Sequence, residues 1–177
     1  RFYHNKIKVI VATIKLGMGY DKEDIGFIIH FQRPANIVNY YQQIGRAGRN
    51  IDYANIFLMS GKEDEEIHDY FINTAFPTFE EAQEVVDLLE NISDLTLGFI
   101  QSRINIKKNR LAKTLIFLEN EGIIFKDKSK YSRSTKKFVY NKDYYNSIIE
   151  IRRKEQEDMR KLIKTDICYS KFIINSL

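Results

Sequence analysis

The sequence predicts an α/β domain at the amino end, then a smaller domain of helices with a hairpin, and finally a long helical segment. Three observations carry this prediction. Two β-rich runs, over residues 8–12 and 25–31, are separated by a connection that contains two glycines. The apolar spacing becomes helical after Pro77, and an amphipathic pattern extends from Asp143 toward Lys164. We therefore expect three parts, which are residues 1–76, 77–142 and 143–177.

Length and composition limit the class of protein. The 177 residues are 44% hydrophobic, which supports globular cores, and they contain no apolar run of the roughly 18 residues that would span a membrane. The sequence shows no signal peptide, and its single cysteine excludes an internal disulfide framework. We therefore expect a cytoplasmic protein without a membrane partner, and the sequence leaves its oligomeric state open.

Charge is unevenly distributed along the chain. Residues 61–100 carry a net charge of −10, residues 101–140 carry +8, and the whole chain carries +4. An acidic stretch followed by a basic one predicts two different surfaces, of which only the basic one suits nucleic acid.

The α/β domain contains the most informative stretch of the sequence. Its first predicted strand, over residues 8–12, leads into the glycine-bearing connection, and the second strand follows over residues 25–31. Open α/β sheets place ligands at the carboxyl ends of their strands. We therefore expect a ligand site at the end of the first strand, where the sequence places Thr13, Gly17, Gly19 and Asp21.

A short helix and two arginines close this stretch. Asn36 predicts a helix cap for residues 37–44, and the sequence then continues as Gly45-Arg46-Ala47-Gly48-Arg49. Arginine stays charged and presents a planar fork of donors, which suits a triphosphate, and the neighbouring glycines reduce crowding around a shared ligand. Taken alone, the same pattern also describes a helix that ends at glycines before two solvated arginines.

The two ends of this stretch carry a family resemblance. VATIKLGMGYDKEDIGFIIH and YYQQIGRAGR resemble motifs V and VI of the second RecA-like domain of RecQ-family DNA helicases. Gly-Met-Gly-x-Asp-Lys, in place of Ala-Arg-Gly-x-Asp, separates the chain from the DEAD-box RNA helicases. The chain departs from the family at Lys15-Leu16, at Gln43 and at residues 50–52, and these departures leave both arginines in place.

The resemblance implies an ATP-dependent enzyme that uses ATP and Mg²⁺ to unwind DNA from 3′ to 5′. It implies that Arg46 and Arg49 reach the γ-phosphate, and it assigns the nucleotide site to Thr13, Gly17, Gly19, Asp21, Gln42 and Gly45. The sequence contains no Gly-x-x-x-x-Gly-Lys-Ser/Thr loop and no Asp-Glu-x-His motif. We therefore expect a carboxyl-side part of such a helicase, inactive toward ATP by itself.

The remainder of the first domain reads as structural. Ala54–Met59 predicts a closing strand, and the acidic run Glu63–Glu66 predicts a helix start, where carboxylates complement the helix dipole. His30 stands at a strand end, and we interpret it as a packed or capping residue and not as a ligand.

The second domain is predicted to hold three helices and a hairpin. The helices begin at Thr78, at Thr96 and at Lys107, and Gly122 follows the third. The predicted strands are Ile123–Lys126 and Phe138–Tyr140 or slightly earlier. This order resembles a winged helix.

The basic residues of this domain predict contact with DNA. They cluster at the start of the third helix and in the hairpin, as Lys107, Lys108, Arg110, Lys113, Lys128, Lys130 and Arg133. Tyr131 and Phe138 lie among them, which suits stacking on a base. Winged helices also serve as protein-interaction modules, so this alternative stays open.

The last segment predicts a long helix that leads to Cys168. Its surroundings resemble the place where bacterial RecQ-like helicases hold the first cysteine of a zinc site. A structural zinc site needs about four ligands, so we expect no metal in this chain and regard Cys168 as a possible first Zn²⁺ ligand of a longer protein. The alternative interpretation is a small buried hydrophobic residue.

The rival to the helicase reading is a non-enzymatic winged-helix regulator that binds DNA and carries a degenerate α/β piece. A phosphate-binding loop encoded upstream of Arg1 would favour the helicase, and its absence from the complete gene product would favour the regulator.

Overall fold

The computed structural model describes residues 1–13 and 21–177, which form two compact units. The first comprises Arg1–His68 and Arg152–Leu177, and the second comprises Asp69–Ile151. Their boundaries fall after His68 and after Ile151, whereas the expected division was at 76 and 142. Residues 152–177 do not stand apart as a separate helical segment, because their apolar side chains join the core of the first unit.

The first unit contains a parallel two-stranded sheet. Strands β1 (Phe27–His30) and β2 (Asn55–Leu58) pair in register, with Ile29 opposite Phe57, and helix α1 (Ile37–Ile44) connects them. Helix α2 (Lys62–Asn73) begins after β2, and its first turn carries the predicted acidic run. This β–α–β arrangement is the local form of the predicted α/β class.

Two helices from the carboxyl side complete the core of this unit. Helix α6 (Lys142–Lys164) and helix α7 (Tyr169–Ser176) supply Met159, Leu162 and Ile173. These side chains pack against Ile37 and Tyr40 on the buried face of α1. His30 lies beside Tyr40, with ring centroids 5.2 Å apart, so its interpretation as a packed residue is confirmed.

Local capping explains why α1 forms where the sequence predicts it. Asn36 has extended backbone angles, and its Oδ1 accepts a hydrogen bond from the Asn39 amide at 2.8 Å. The predicted strand over residues 8–12 is wrong, because these residues join no strand ladder within the described chain. An apolar run can be read from sequence, whereas the neighbour that a strand must bond to cannot.

The second unit contains three helices and an antiparallel sheet. Helices α3 (Phe79–Asn91), α4 (Leu97–Arg103) and α5 (Lys108–Asn120) surround one core, and strands β3 (Leu95–Thr96), β4 (Ile124–Asp127) and β5 (Lys130–Arg133) are ordered β3-β5-β4. Thr78 caps α3 with a full capping box, and Thr96 caps α4. Leu111, Leu115 and Leu118 on α5 are completely buried, as their helical spacing predicts.

The hairpin differs from the prediction. Its second strand is Lys130–Arg133 and not Phe138–Tyr140, and the turn passes through Lys128 at φ 54°. Phe138 instead stacks near Phe79, with ring centroids 6.2 Å apart. The apolar character of residues 138–140 therefore marks core packing rather than a strand. Strand β3 was missed because two residues carry no periodic pattern.

Apolar side chains are exposed on the surface of the first unit. One face of the parallel sheet is open to solvent, where Ile29 and Phe57 lie side by side and are 52% and 51% exposed. Across the described ranges, no helix is both long enough and apolar enough to cross a membrane.

Candidate functional site

The loop that carries both arginines continues directly from α1. The Gly45 amide donates to the Tyr41 carbonyl at 3.0 Å, and the Ala47 amide donates to the Ile44 carbonyl at 3.1 Å. The Arg46 amide lies within hydrogen-bond distance of the Gln43 carbonyl at 3.3 Å. The position of the loop is therefore set by the end of the helix.

Hydrogen bonds also join this loop to the segment before β1. The Gly48 amide donates to the Ile25 carbonyl at 3.1 Å, and the Asn50 amide donates to the Glu23 carbonyl at 3.0 Å. Gly48 has φ +71°, a left-handed conformation that favours glycine, and a Cβ there would lie 3.4 Å from the Cβ of Ala54. The two sequence motifs thus meet in one local structure.

Arg49 and Asp21 form an ion pair across these motifs. The Arg49 Nε also donates to the Gly45 carbonyl at 3.1 Å. Both side chains face solvent, with 42% of Arg49 and 69% of Asp21 exposed. Three residues of the predicted nucleotide site, Arg49, Asp21 and Gly45, are therefore brought together.

Arg46 lies on the same loop as Arg49 but in a different environment. It is half-buried and lies on the wall of a cavity of about 230 Å³. Lys22 and Asp24 form an ion pair on this wall, and Lys22 is 6% exposed. The hydrogen bond from Lys22 lowers the pKa of Asp24, and a second one from the Asn5 amide group, 2.9 Å away, acts in the same direction. The pairing of Lys22 with Asp24 was not predicted from the sequence.

The other predicted nucleotide-site residues are more dispersed. Thr13 and Gln42 are both exposed, the latter on α1. Gly17 and Gly19 lie outside the described residues, so the structure gives no contact for them.

A polar network beside α1 was not predicted. The Arg160 Nε donates to both carboxylate oxygens of Glu65, at 3.1 and 3.0 Å. The Arg33 Nη1 donates to Glu65 Oε1 at 2.5 Å. The hydrogen bonds from Arg160, and then those from Arg33, lower the pKa of Glu65 to about 2. Asn36 Nδ2 donates to Glu155 Oε1 at 3.1 Å. These partners are too far apart in sequence for any local pattern to reveal them.

In the second unit, Arg110 binds other residues of its own unit. Its Nε lies 2.8 and 2.9 Å from the carboxylate oxygens of Glu81, and its terminal nitrogens donate to the carbonyls of Thr74 at 3.1 Å and Phe76 at 2.7 Å. These contacts give Arg110 a structural role that the sequence did not indicate.

Arg133 is also engaged internally. Its Nη1 donates to the carbonyls of Ile123 at 2.5 Å and Ser134 at 3.0 Å, and its Nε approaches Glu90 at 3.4 Å. The side chain is 13% exposed. Arg133 thus ties β5 to the start of β4.

The predicted lysines remain on the surface. Lys107, Lys108, Lys113, Lys128 and Lys130 are all exposed. Lys113 donates to the Thr74 hydroxyl at 3.3 Å and lies 5.6 Å above the Tyr70 ring. Lys107 lines a groove with Asn105, Ile106, Arg110 and three carboxylates of α3, which are Glu80, Glu81 and Glu84.

The aromatic residues of the hairpin divide differently from the prediction. Tyr131 is 9% exposed and belongs to the core, whereas Phe125 is 51% exposed on β4. The alternation of inward Ile124 and outward Phe125 is the period-two signal that would have found it. Phe125 and the lysines at positions 126, 128 and 130 belong to one hairpin.

Cys168 is an exposed thiol immediately before α7, so its interpretation as a small buried hydrophobic residue is wrong. The backbone amides of Lys171 and then Ser170 lower its pKa. Among the described residues, no group of three or more His, Cys, Asp or Glu side chains is placed to hold a metal ion. Within the described residues, Cys168 therefore lacks the further side chains that a four-ligand zinc site requires.

Comparison with known proteins identifies the class to which the arginine loop belongs. Residues 1–51 match the helicase conserved C-terminal domain, the domain that contains both motifs described above. Several relatives are named as ATP-dependent DNA helicases, among them RecS and helicases of the Q type. The resemblance to the carboxyl-side part of RecQ-family helicases is thereby confirmed.

Three relatives illustrate the similarity. The chain is 36% identical over 94 residues to the probable ATP-dependent DNA helicase RecS of Bacillus subtilis, covering 53% of the chain and 19% of RecS. It is 50% identical over 58 residues to the ATP-dependent DNA helicase Q-like 5 of Arabidopsis thaliana, covering 32% and 6%. It is 44% identical over 72 residues to a putative ATP-dependent RNA helicase of Acanthamoeba polyphaga mimivirus, covering 41% and 13%. The matches therefore span less than a fifth of each of these relatives.

Proposed function

We propose that this chain is the carboxyl-side part of an ATP-dependent DNA helicase of the RecQ type, which couples ATP hydrolysis to 3′–5′ unwinding. The observation that carries the proposal is the ion pair between Arg49 and Asp21, which come from two different motifs. Backbone hydrogen bonds hold the arginine loop against the segment before β1, which contains Asp21. The curated relatives named as ATP-dependent DNA helicases support the same class.

The two arginines suit the phosphate end of a nucleotide. Hydrolysis of bound ATP supplies the free energy for unwinding. A guanidinium meets phosphate oxygens with two parallel donors, and a positioned arginine stabilises the charge that develops as the γ-phosphoryl group transfers. Arg49 exchanges its contact with Asp21 for the phosphate, whereas Arg46 reaches the nucleotide from the cavity wall. Bound Mg²⁺ would neutralise charge on the phosphates, and it commonly uses only one or two protein carboxylates together with phosphate oxygens.

The test of this proposal is ATP turnover by the whole helicase. Arg46→Ala and Arg49→Ala should each lower kcat by about 10³, the low end of the effect of an arginine finger. DNA affinity should stay close to that of the wild type. Arg1→Ala removes an exposed arginine from the same unit and is the matched control. Turnover near the wild-type level in both variants would exclude the assignment of Arg46 and Arg49 to the transferring phosphate.

We further propose that the second unit is a winged helix that contacts DNA. Its order of three helices and an antiparallel hairpin supports this assignment. The exposed lysines of the hairpin, Lys128 and Lys130, contact phosphates, and those at the start of α5, Lys107 and Lys108, contribute beside them. Phosphate contacts hold a protein on DNA without reading its sequence. The exposed ring of Phe125 is suited to stack on an unpaired base.

A further inference from the structure

Helix α1, which leads into the arginine loop, has its apolar partner in the carboxyl-side helices. Its Ile37 and Tyr40 pack with Met159, Leu162 and Ile173, and none of these side chains is more than 8% exposed. The side chains that pack against α1 therefore come from a part of the sequence more than a hundred residues away.

Polar contacts fix the amino end of α1 to the same helices. Asn36 caps α1 and also donates to Glu155 on α6 at 3.1 Å. Arg160 lies about one turn further along α6 and holds Glu65 through Nη2 at 2.7 Å. Glu65 in turn binds Arg33, which stands three residues before the cap and is 4% exposed. The segment that enters α1 is thus held from two sides.

The position of α1 determines the position of both arginines, because backbone hydrogen bonds continue from the helix into the arginine loop. The turn after α1 repeats helix-like hydrogen bonds at Gly45 and Ala47. The Arg49 side chain then returns to the Gly45 carbonyl at 3.1 Å. A displacement of α1 along or about its axis is therefore shared by both guanidiniums.

We propose that Arg33, Glu65, Arg160 and Glu155 form a positioning network that sets α1, and with it Arg46 and Arg49, for contact with the transferring phosphate. The inference rests on the proposed function and deepens it. These four are positioning residues, because they act through α1 and touch no nucleotide. The expected effect is large for such remote residues, since a displacement of about 1 Å at a reacting group can cost about 10²-fold in rate.

The test compares variants of α6 in the whole helicase. Arg160→Met should lower kcat for ATP hydrolysis by about 10- to 100-fold, while KM for ATP and affinity for DNA change by no more than about twofold. Arg160→Lys keeps a charge beside Glu65 but loses the planar fork, so it should restore part of kcat. Lys154→Met alters an exposed residue of the same helix and should behave as the wild type.

A second variant keeps the test decisive if Arg160→Met weakens the fold. Glu155→Ala removes the tie to Asn36 without uncovering the buried Arg33, and it should lower kcat by about threefold to tenfold, less than Arg160→Met, because the cap to Asn39 remains. Thermal unfolding of each variant shows whether the unit is intact at the assay temperature. Wild-type kcat in both folded variants would overturn the positioning network.

Combination with the arginine variants separates this inference from the proposed function. In an Arg46→Ala/Arg49→Ala background, Arg160→Met should cause no further loss of turnover, because residues that act as one unit are non-additive. A further tenfold loss there would show a general structural role and reject the inference alone. If the arginine double variant itself retains wild-type turnover, the proposed function fails.

Discussion

Arg110 on α5 forms a forked ion pair with Glu81 on α3, with the Arg110 Nε 2.8 and 2.9 Å from the two carboxylate oxygens. Glu81 also completes the capping box of α3, so the pair connects the start of one helix to the face of another. Arg110 additionally satisfies the carbonyls of Thr74 and Phe76. The pair therefore connects α5 to the start of α3 within the second unit.

Replacement of Arg110 should affect stability rather than DNA binding. Hydrogen bonds to charged groups contribute about 1.5–3 kcal/mol each, and several are lost together here. Arg110→Ala should lower the free energy of unfolding of the second unit by about 2–3 kcal/mol, measured by urea denaturation. Lys108→Ala, an exposed change on the same helix, should stay within about 0.5 kcal/mol. Unchanged unfolding together with a weaker salt dependence of DNA binding would return Arg110 to the DNA-contacting set.

The hairpin lysines should dominate the salt dependence of DNA binding. Each phosphate contact contributes a slope near −0.9 in a plot of log affinity against log salt on duplex DNA. Lys128→Ala/Lys130→Ala should flatten the slope by about two units. Lys107→Ala/Lys108→Ala should flatten it less, because carboxylates of α3 lie beside Lys107. Fluorescence anisotropy over a salt series measures both, with Lys154→Ala as the control. Equal slopes in wild type and the hairpin variant would exclude phosphate contact there.

Loss of the Asp21 carboxylate should strengthen binding of a polyphosphate to the chain. The Arg49–Asp21 pair is exposed, and such pairs contribute only about 0–1 kcal/mol to stability. Asp21→Asn should therefore leave folding unchanged while removing a negative charge beside the incoming phosphates. Affinity for inorganic triphosphate should rise by about fivefold at low salt, since one unit charge at 4 Å in water corresponds to about 1 kcal/mol. Calorimetric titration measures this, and Asp52→Asn is the exposed control. Weaker binding by Asp21→Asn would assign the carboxylate a direct role in holding the ligand.

Acid should weaken the first unit through Glu65. Its pKa is about 2 in the folded chain against an ordinary value of 4.5, so the folded state favours the ionised carboxylate. The stabilisation is fully present above about pH 4.5 and is lost as the pH falls toward about 2. The difference in unfolding free energy between wild type and Glu65→Gln should therefore shrink over this interval, as measured by urea denaturation at several pH values. Glu66→Gln, at the exposed neighbouring position, should show no such convergence. A constant difference from neutral pH to about pH 2 would contradict the role of Glu65.

Helix positions were largely predictable because their signals are local. Asn36 and Thr96 bond to amides three residues along, and Thr78 forms a capping box with Glu81 over the same distance. Strand positions were less predictable. The hairpin turn uses Lys128 at φ 54°, where a sequence would ordinarily announce a turn with glycine or asparagine.

The residues of the candidate site also fall into those that the sequence could predict and those that it could not. The two arginines and Asp21 could be named from the motifs that they belong to, whereas the ion pair between Arg49 and Asp21 was not predicted. The structural roles of Arg110 and Arg133 could not be predicted, because most of their acceptors are 10 to 43 residues away in sequence and several are backbone carbonyls. A count of charges does not distinguish an arginine that binds groups within the fold from a lysine that binds phosphate.

The exposed apolar face of the two-stranded sheet should make this chain prone to self-association at high concentration. Parallel sheets ordinarily have both faces covered. Here the adjacent apolar side chains of Ile29 and Phe57 are exposed to solvent. Stock solutions should consequently turn cloudy as they are concentrated, and sulfate should hasten this because it strengthens apolar association. Phe57→Lys should delay the onset of turbidity and make the chain easier to crystallise or to study at the high concentrations that nuclear magnetic resonance requires.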